Sequence, residues 1–269
     1  MTPARPPGRP GRPARRAAVP GPLIAALLLP AAVACGSDGG DGDSDGGGSV
    51  TLTVLAAASL TDVFTEAGEV YEEAHPGVTV RFSFAGSQEL AAQVTQGAPA
   101  DVLVTADTRT MADVADETAE PEIIARNELV IVTPPGNPAD VTSLADLADP
   151  GLRLVLAAPE VPAGRYGQRI LDAQGLEVTP DSQEPNVRAV LGKVELGEAD
   201  AGLVYVTDAT AAGDDVRAVP IPAGQNIVAD YPAAALNGSD HPERAQEFVD
   251  WLAPPEVRAL LPDAGFRSP

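Results

Sequence analysis

A single cysteine, Cys35, leaves no partner within this sequence for a disulfide. A single lysine, Lys193, and an aromatic content of 4% remove both the lysine-rich groove and the stacking platform on which nucleic-acid binding rests. The two histidines, His75 and His241, each precede a proline in a turn-like stretch. Neither is placed to serve as a general base beside a serine, and Lys193 completes no S-x-x-K motif. No cluster of His and Cys exists to hold a metal ion. These absences argue against a nucleic-acid partner, a disulfide scaffold, a serine hydrolase and a cation site.

The first 34 residues lack acids but carry Arg5, Arg9, Arg12, Arg15 and Arg16, followed by the apolar run "LIAALLLPAAVA". This order reads as an export signal, and the run, interrupted by Pro30, is too short to span a bilayer. The Arg15–Arg16 pair lacks the rest of a twin-arginine motif. Cys35 follows "AAVA" directly, which resembles the lipobox of bacterial lipoproteins, although Ala32 stands where Leu or Val is commoner. A diacylglyceryl thioether on Cys35 would tether the protein to the outer face of the cell membrane. Residues 36–49, "GSDGGDGDSDGGGS", contain no apolar side chain and read as a flexible spacer. They lack the spacing and terminal glutamate of an EF-hand loop. Without residues 1–34 the chain keeps 12 Lys and Arg against 39 Asp and Glu, a net charge of −27.

Hydrophobic residues make up 44% of the chain, enough for a sizeable core in one large domain or two lobes. From Val50 onward short β-branched runs alternate with helical periodicity, the signature of an open α/β sheet. "VTLTVLAA", "GVTVRFSF" and "ADVLVTA" read as strands, with helices "TDVFTEAGEVYEEA" and "SQELAAQVTQG" between them. "NELVIVTPPGNP" reads as a strand leaving this first unit, because its Pro and Gly cluster marks a crossover. A second set follows: strand "LRLVLAAP", helices from "AGRYGQRILDAQ" and "VRAVLGKVELGEA", and strands "AGLVYVT" and "VRAVPIP". "NIVADYPAAAL" returns as a crossing strand, and helices "PERAQEFVDWLA" and "PEVRALL" close the fold, with Phe248 and Trp251 in the core. The expected organisation is a signal peptide (1–34), a lipidated cysteine and linker (35–49), lobe I (50–133), lobe II (134–234) and a return to lobe I (235–269).

Four strand or loop ends look alike. Ser59 follows a strand and is expected to cap the helix beginning near Thr61, with Asp62 as its capping-box partner. Ser87 stands at the equivalent place before "QELAAQV", a helix opens near Ala163, and Asn186 caps one whose first residue is Val187. A helix N-terminus offers unpaired N–H groups and partial positive charge, so several converging ends make an anion site without lysine or arginine. Small alanines before Ser59 let an anion approach the backbone. Arg165 and Arg188 neighbour these ends in sequence, but successive residues on a helix point in different directions.

In order and spacing, "AAASL", "FAGSQELAAQVTQGAPADV", "PEVPAGRY" and "GLVYVTDA" resemble the periplasmic molybdate-binding proteins of ABC importers, over nearly all of the chain from Val50 to Phe266. The resemblance implies a two-lobed, type II periplasmic-binding fold, not an enzyme and without a cofactor. A tetrahedral oxyanion, molybdate and also tungstate, would sit in the cleft between the lobes and pass to a membrane permease. The implied ligand residues are Ser59 and Ser87 through side chain and backbone, Ala163 and Val187 through backbone N–H groups, and Tyr205 through its phenol. Gly86 stands where some relatives have another serine, and the span between "VPAG" and "NVRAV" has its own length. The protein is expected to act as a monomer.

Two other readings stand beside this one. A serine on a strand-to-helix turn resembles a hydrolase nucleophile, but Ser59 lacks the flanking glycines of a G-x-S-x-G elbow. A binding protein for another oxyanion such as sulfate is the nearer alternative, since charge and shape are shared and cavity size decides. Phosphate carries a proton near neutral pH and wants an acceptor in its site, whereas all five implied ligands are donors.

Overall fold

The structure is a computed structural model that describes residues 49–253 and 260–269. Cys35, the export signal, nearly all of the linker and most of "PEVRALL" lie outside the described residues. The described residues pack as one unit built on a mixed sheet.

Strand β1 (Val50–Ala57) is followed by a 3-10 turn (Ala58–Leu60) that runs straight into helix α1 (Thr61–Ala74). Next come β2 (Val78–Ala85), α2 (Ser87–Thr95), β3 (Val102–Val104) and α3 (Thr108–Ala112). β1 lies between β2 and β3 and is parallel to both. Parallel strands need long crossovers, and α1 and α2 supply them. α1 turns Val63, Phe64, Ala67 and Tyr71 inward at helical spacing, which buries its apolar stripe against the sheet.

β4 (Glu122–Thr133) is long enough to serve two sheets. After it come β5 (Leu154–Ala157), α4 (Pro162–Ala173), β6 (Ser182–Glu184) and α5 (Val187–Glu195). β7 (Ala201–Tyr205), α6 (Val206–Ala212), β8 (Arg217–Pro220), β9 (Val228–Ala235) and α7 (Pro242–Leu252) complete the order, before a short helical stretch at Leu260–Asp263. Residues Glu122 to Glu128 of β4 pair with β9, and Leu129 to Thr133 pair with β7 and β8. The strand order is β2-β1-β3-β9-β4-β7-β5-β6, with β8 also on β4. One half of β4 thus belongs to a first lobe with β1, β2, β3 and β9, and the other half to a second lobe with β5, β6, β7 and β8. This is the two-lobed α/β architecture expected from the sequence.

The element-level differences have local causes. β9 pairs only with β3 and the first half of β4, so the chain is back in the first sheet from Val228, ahead of the expected change of lobe after residue 234. The strand "AGLVYVT" stops at Tyr205, because the Asp208 carboxylate accepts the Tyr205 N–H at 3.0 Å and turns the chain into α6. α3 and β6 have no counterpart in the sequence reading. α7 docks on the first lobe: Phe248 is buried, with its ring 4.9 Å from that of Tyr71 and edge-on to it, and half-buried Trp251 lies 5.0 Å from Tyr71 on the same face.

Candidate functional site: an anion-sized cleft

Ala57 ends β1 and Ala58 and Ser59 open the 3-10 turn after it, Gly86 and Ser87 open α2, Val161, Pro162 and Ala163 open α4, and Asn186 and Val187 open α5. All of these line one cavity, and Tyr205 joins them from the end of β7. The five residues proposed from the sequence, Ser59, Ser87, Ala163, Val187 and Tyr205, are therefore brought to one place. Each is at least nine-tenths buried. The space is small, a cavity of roughly 10 Å³, on the scale of one compact group. No charged side chain lines it.

What remains is hydrogen-bond donors. The first residues of α2, α4 and α5 have no acceptor one turn back, so the N–H groups of Ser87, Ala163 and Val187 point out of their helices. Asn186 caps α5 as expected, accepting the Ala189 N–H at 3.0 Å. The cap expected of Ser59 is not formed: Ser59 sits inside the 3-10 turn, α1 has no side-chain cap, and Asp62 makes no capping box. The Ser59 hydroxyl instead meets the Tyr231 hydroxyl at 2.9 Å. Ser87 is the first residue of α2 and caps nothing, and its oxygen accepts the Ala106 N–H at 3.0 Å. With that lone pair occupied, the Ser87 proton is free to be donated into the cavity.

Tyr205 is fully buried, and among the described residues its hydroxyl makes no hydrogen bond of good geometry, its nearest polar neighbour being the Tyr231 hydroxyl. Burial, with the nearby Tyr231 hydroxyl second, pushes its pKa well above the ordinary tyrosine value, so it stays a neutral O–H donor. A native protein rarely leaves such a group without a well-made hydrogen bond, and this one belongs to a residue that lines the cavity.

The two neighbouring arginines are engaged elsewhere. Arg165 binds the carboxylate of Asp107 and donates to Thr110 Oγ1 at 2.7 Å, both in the segment after β3. Arg188 pairs with Asp62 on α1 and, through Nε at 2.7 Å, with buried Asp208. Both therefore tie second-lobe helices to first-lobe residues and neutralise carboxylates, leaving the cavity to helix ends and hydroxyls.

A site of this kind has known relatives. The family model of the bacterial extracellular solute-binding proteins matches residues 52–267. This chain belongs to that family. Among the relatives of this solute-binding protein is the molybdate-binding protein ModA of Mycobacterium tuberculosis, 42% identical over 252 residues that cover 92% of this chain and 97% of the relative. ModA of Escherichia coli is 32% identical over 229 residues, 80% of this chain and 88% of its own. These identities place the chain in the ModA family. The Azotobacter vinelandii periplasmic molybdate-binding protein superposes with a TM-score of 0.71 at 22% identity, covering 81% of this chain and 99% of the other. The sulfate-binding protein SubI of Mycobacterium tuberculosis gives 0.72 at 20% identity, over 81% and 87% of the two chains. The last two matches show the shared fold. The family consists of solute-binding proteins, not enzymes, and its members hold a ligand rather than a cofactor. Among the described residues no helix is long and apolar enough to cross a membrane.

Three features of this binding protein escaped the sequence reading. Tyr231 lies in "ADYPAAA", where a tyrosine in an apolar strand reads as core, and only the chain's return places its hydroxyl on Ser59. Asn186 was read as a cap and also lines the cavity. Gly86 allows the lobes to meet: a Cβ there would stand 2.5 Å from the Pro185 carbonyl oxygen across the cleft.

Proposed function

We propose that this protein captures molybdate, and tungstate through the same contacts, outside the cytoplasm and delivers it to the permease of an ABC importer. The observation that carries the reading is the fully buried Tyr205 hydroxyl, without a well-made hydrogen bond among the described residues, on a residue that lines a cavity otherwise formed by helix N-termini and two serines. In this reading Ser59 and Ser87 bind the oxyanion from the first lobe, and Ala163, Val187 and Tyr205 bind it from the second. Donors alone suit a fully ionised tetrahedral oxyanion, and the absence of a lining carboxylate disfavours a protonated one. The protein works as a monomer tethered through a lipid on Cys35, a reading supported by the order of arginines, apolar run and cysteine.

Sulfate is the second reading, because its charge and shape match and the sulfate-binding protein SubI shares the fold. Calorimetric titration of residues 50–269 with molybdate, tungstate, sulfate and phosphate separates the cases. Tight binding of molybdate and tungstate is expected. Heat with sulfate alone would overturn the assignment. For the anchor, Cys35→Ser is expected to release the protein from membranes, whereas a wild-type protein that takes up no labelled fatty acid would remove that part of the proposal.

A further inference from the structure

Behind Ser59 lies a buried chain of polar groups whose direction can be read from one backbone N–H. The Glu128 N–H donates to Asn127 Oδ1 at 2.9 Å, which fixes the side-chain amide with its NH₂ toward the interior. Asn127 Nδ2 then donates to Thr207 Oγ1 at 3.0 Å and makes a longer contact, 3.4 Å, to Tyr231 Oη. Tyr231 Oη thus receives a hydrogen from the Asn127 side; either hydroxyl of the 2.9 Å Tyr231–Ser59 contact can donate, and the Asn127 hydrogen bond favours the arrangement in which Tyr231 gives its proton to Ser59 Oγ. Asn127, Thr207, Tyr231 and Ser59 are all at least nine-tenths buried, so no bulk water competes for these bonds.

We propose that Asn127 and Tyr231 are positioning residues that hold the Ser59 hydroxyl as a donor toward the cleft and deny it the acceptor role. Ser87 reaches the same state by a different route, since the Ala106 N–H occupies its oxygen. Both serines of the first lobe are then one-way donors. This gives the site a selectivity for fully ionised oxyanions. An anion that keeps a proton needs an acceptor, and a serine whose oxygen already accepts a hydrogen bond is a poor one. The inference rests on the oxyanion-binding reading above and assigns its discrimination to residues that do not touch the ligand.

The test is a double-mutant cycle of Tyr231→Phe with Ser59→Ala, read by calorimetric titration with molybdate and by competition with phosphate, which keeps a proton at neutral pH. Tyr231→Phe is expected to weaken molybdate binding about five- to tenfold and to raise the competing strength of phosphate relative to molybdate. The double variant is expected to bind within about twofold of Ser59→Ala alone, because the tyrosine acts through that hydroxyl. Multiplying effects, or a molybdate-to-phosphate ratio unchanged by Tyr231→Phe, would overturn the inference. If Tyr231→Phe does not fold, the same cycle with Asn127→Ala decides it, with the same coupling expected and multiplying effects counting against it. Failure of the wild-type protein to bind any tetrahedral oxyanion would sink the underlying reading instead, and the two failures are distinct.

Discussion

At the scale of single residues, the candidate site is made of groups whose hydrogen-bonding freedom has been narrowed by their neighbours. Ser87 already accepts the Ala106 N–H and has its proton to give, and a hydroxyl donating to a desolvated dianion makes a charge-assisted hydrogen bond. Ser87→Ala and Ser59→Ala are each expected to cost about 1.5 to 3 kcal/mol of molybdate binding. Neither serine caps a helix, so circular dichroism is expected to be unchanged; wild-type affinity in both variants would return them to a packing role. Tyr205 gives a sharper sign. Its hydroxyl is buried and makes no well-made hydrogen bond among the described residues, so Tyr205→Phe removes a desolvated polar group while keeping the ring that stands 5.7 Å from Tyr231. The variant is expected to bind molybdate more weakly by about 1.5 to 3 kcal/mol, yet to be at least as stable without ligand as the wild type. Thermal melts and titration of the same sample check both halves, and a destabilised variant with full affinity would contradict the assignment.

At the scale of elements, α6 shows how a buried charge shapes the fold. Asp208 accepts the Tyr205 N–H and so starts the helix, pairs with Arg188, and is fully buried. Burial pushes its pKa up to about 6, with the Arg188 guanidinium and the Tyr205 N–H pulling the other way. A folded pKa above the unfolded value of about 3.9 means that folding favours the protonated acid. The stability this contributes is fully present below about pH 4 and is lost as pH rises through about 6. Asp208→Asn does not titrate, so its stability relative to wild type is expected to rise by about 2 kcal/mol between pH 4 and pH 7. Denaturant unfolding across that range measures the difference, and a flat difference would show that Arg188 holds Asp208 ionised throughout. The same element marks the limit of what could be read from sequence. β1 and α1 were legible to the residue, because their periods and burial are set locally, and so was the Asn186 cap. "VTDATAA" was not, since β-branched residues continue the strand pattern and only the carboxylate at 208 reverses it. Ser59, Ser87, Ala163 and Val187 were legible as residues at or near helix starts, whereas Tyr205 came only from the motif resemblance. The partners that orient or neutralise them, Tyr231 for Ser59 and Asp107 for Arg165, come from 172 and 58 residues away in sequence and depend on chain return and lobe contact.

At the scale of the whole molecule, the proposed function depends on two lobes meeting, and polar contacts cross the cleft. Arg165 binds Asp107 and Thr110, Arg188 binds Asp62, and the Gln88 side chain donates to the Pro185 carbonyl at 2.8 Å. The Arg188–Asp62 pair is partly exposed and contributes little, while the Arg165–Asp107 pair is largely buried; a ligand with contacts on both lobes would add to these in favouring the closed arrangement. Charge acts against the anion at long range, because acidic residues outnumber basic ones 39 to 17. Screening over about 8 Å at physiological salt leaves the local N–H groups in control. Affinity for molybdate is therefore expected to rise modestly with ionic strength, the reverse of a lysine-lined site, and a steep fall with salt in a titration series would count against it. Closure itself has a single-atom test at Gly86. The backbone there has φ −61° and ψ 138°, which any residue adopts, so alanine brings no strain of its own. Its Cβ would instead stand 2.5 Å from the Pro185 carbonyl oxygen and from Gln88 Nε2, wedging the lobes at the mouth of the cleft. A wedge that leaves the donors intact raises the cost of the closed state and nothing else, so affinity is expected to fall about tenfold or more in proportion to the closed population lost. Small-angle scattering separates this from a damaged site. Saturating molybdate is expected to reduce the radius of gyration of the wild type, while Gly86→Ala stays more expanded at the same ligand occupancy. A wild-type radius that does not change at saturation would mean that the oxyanion binds without drawing the lobes together.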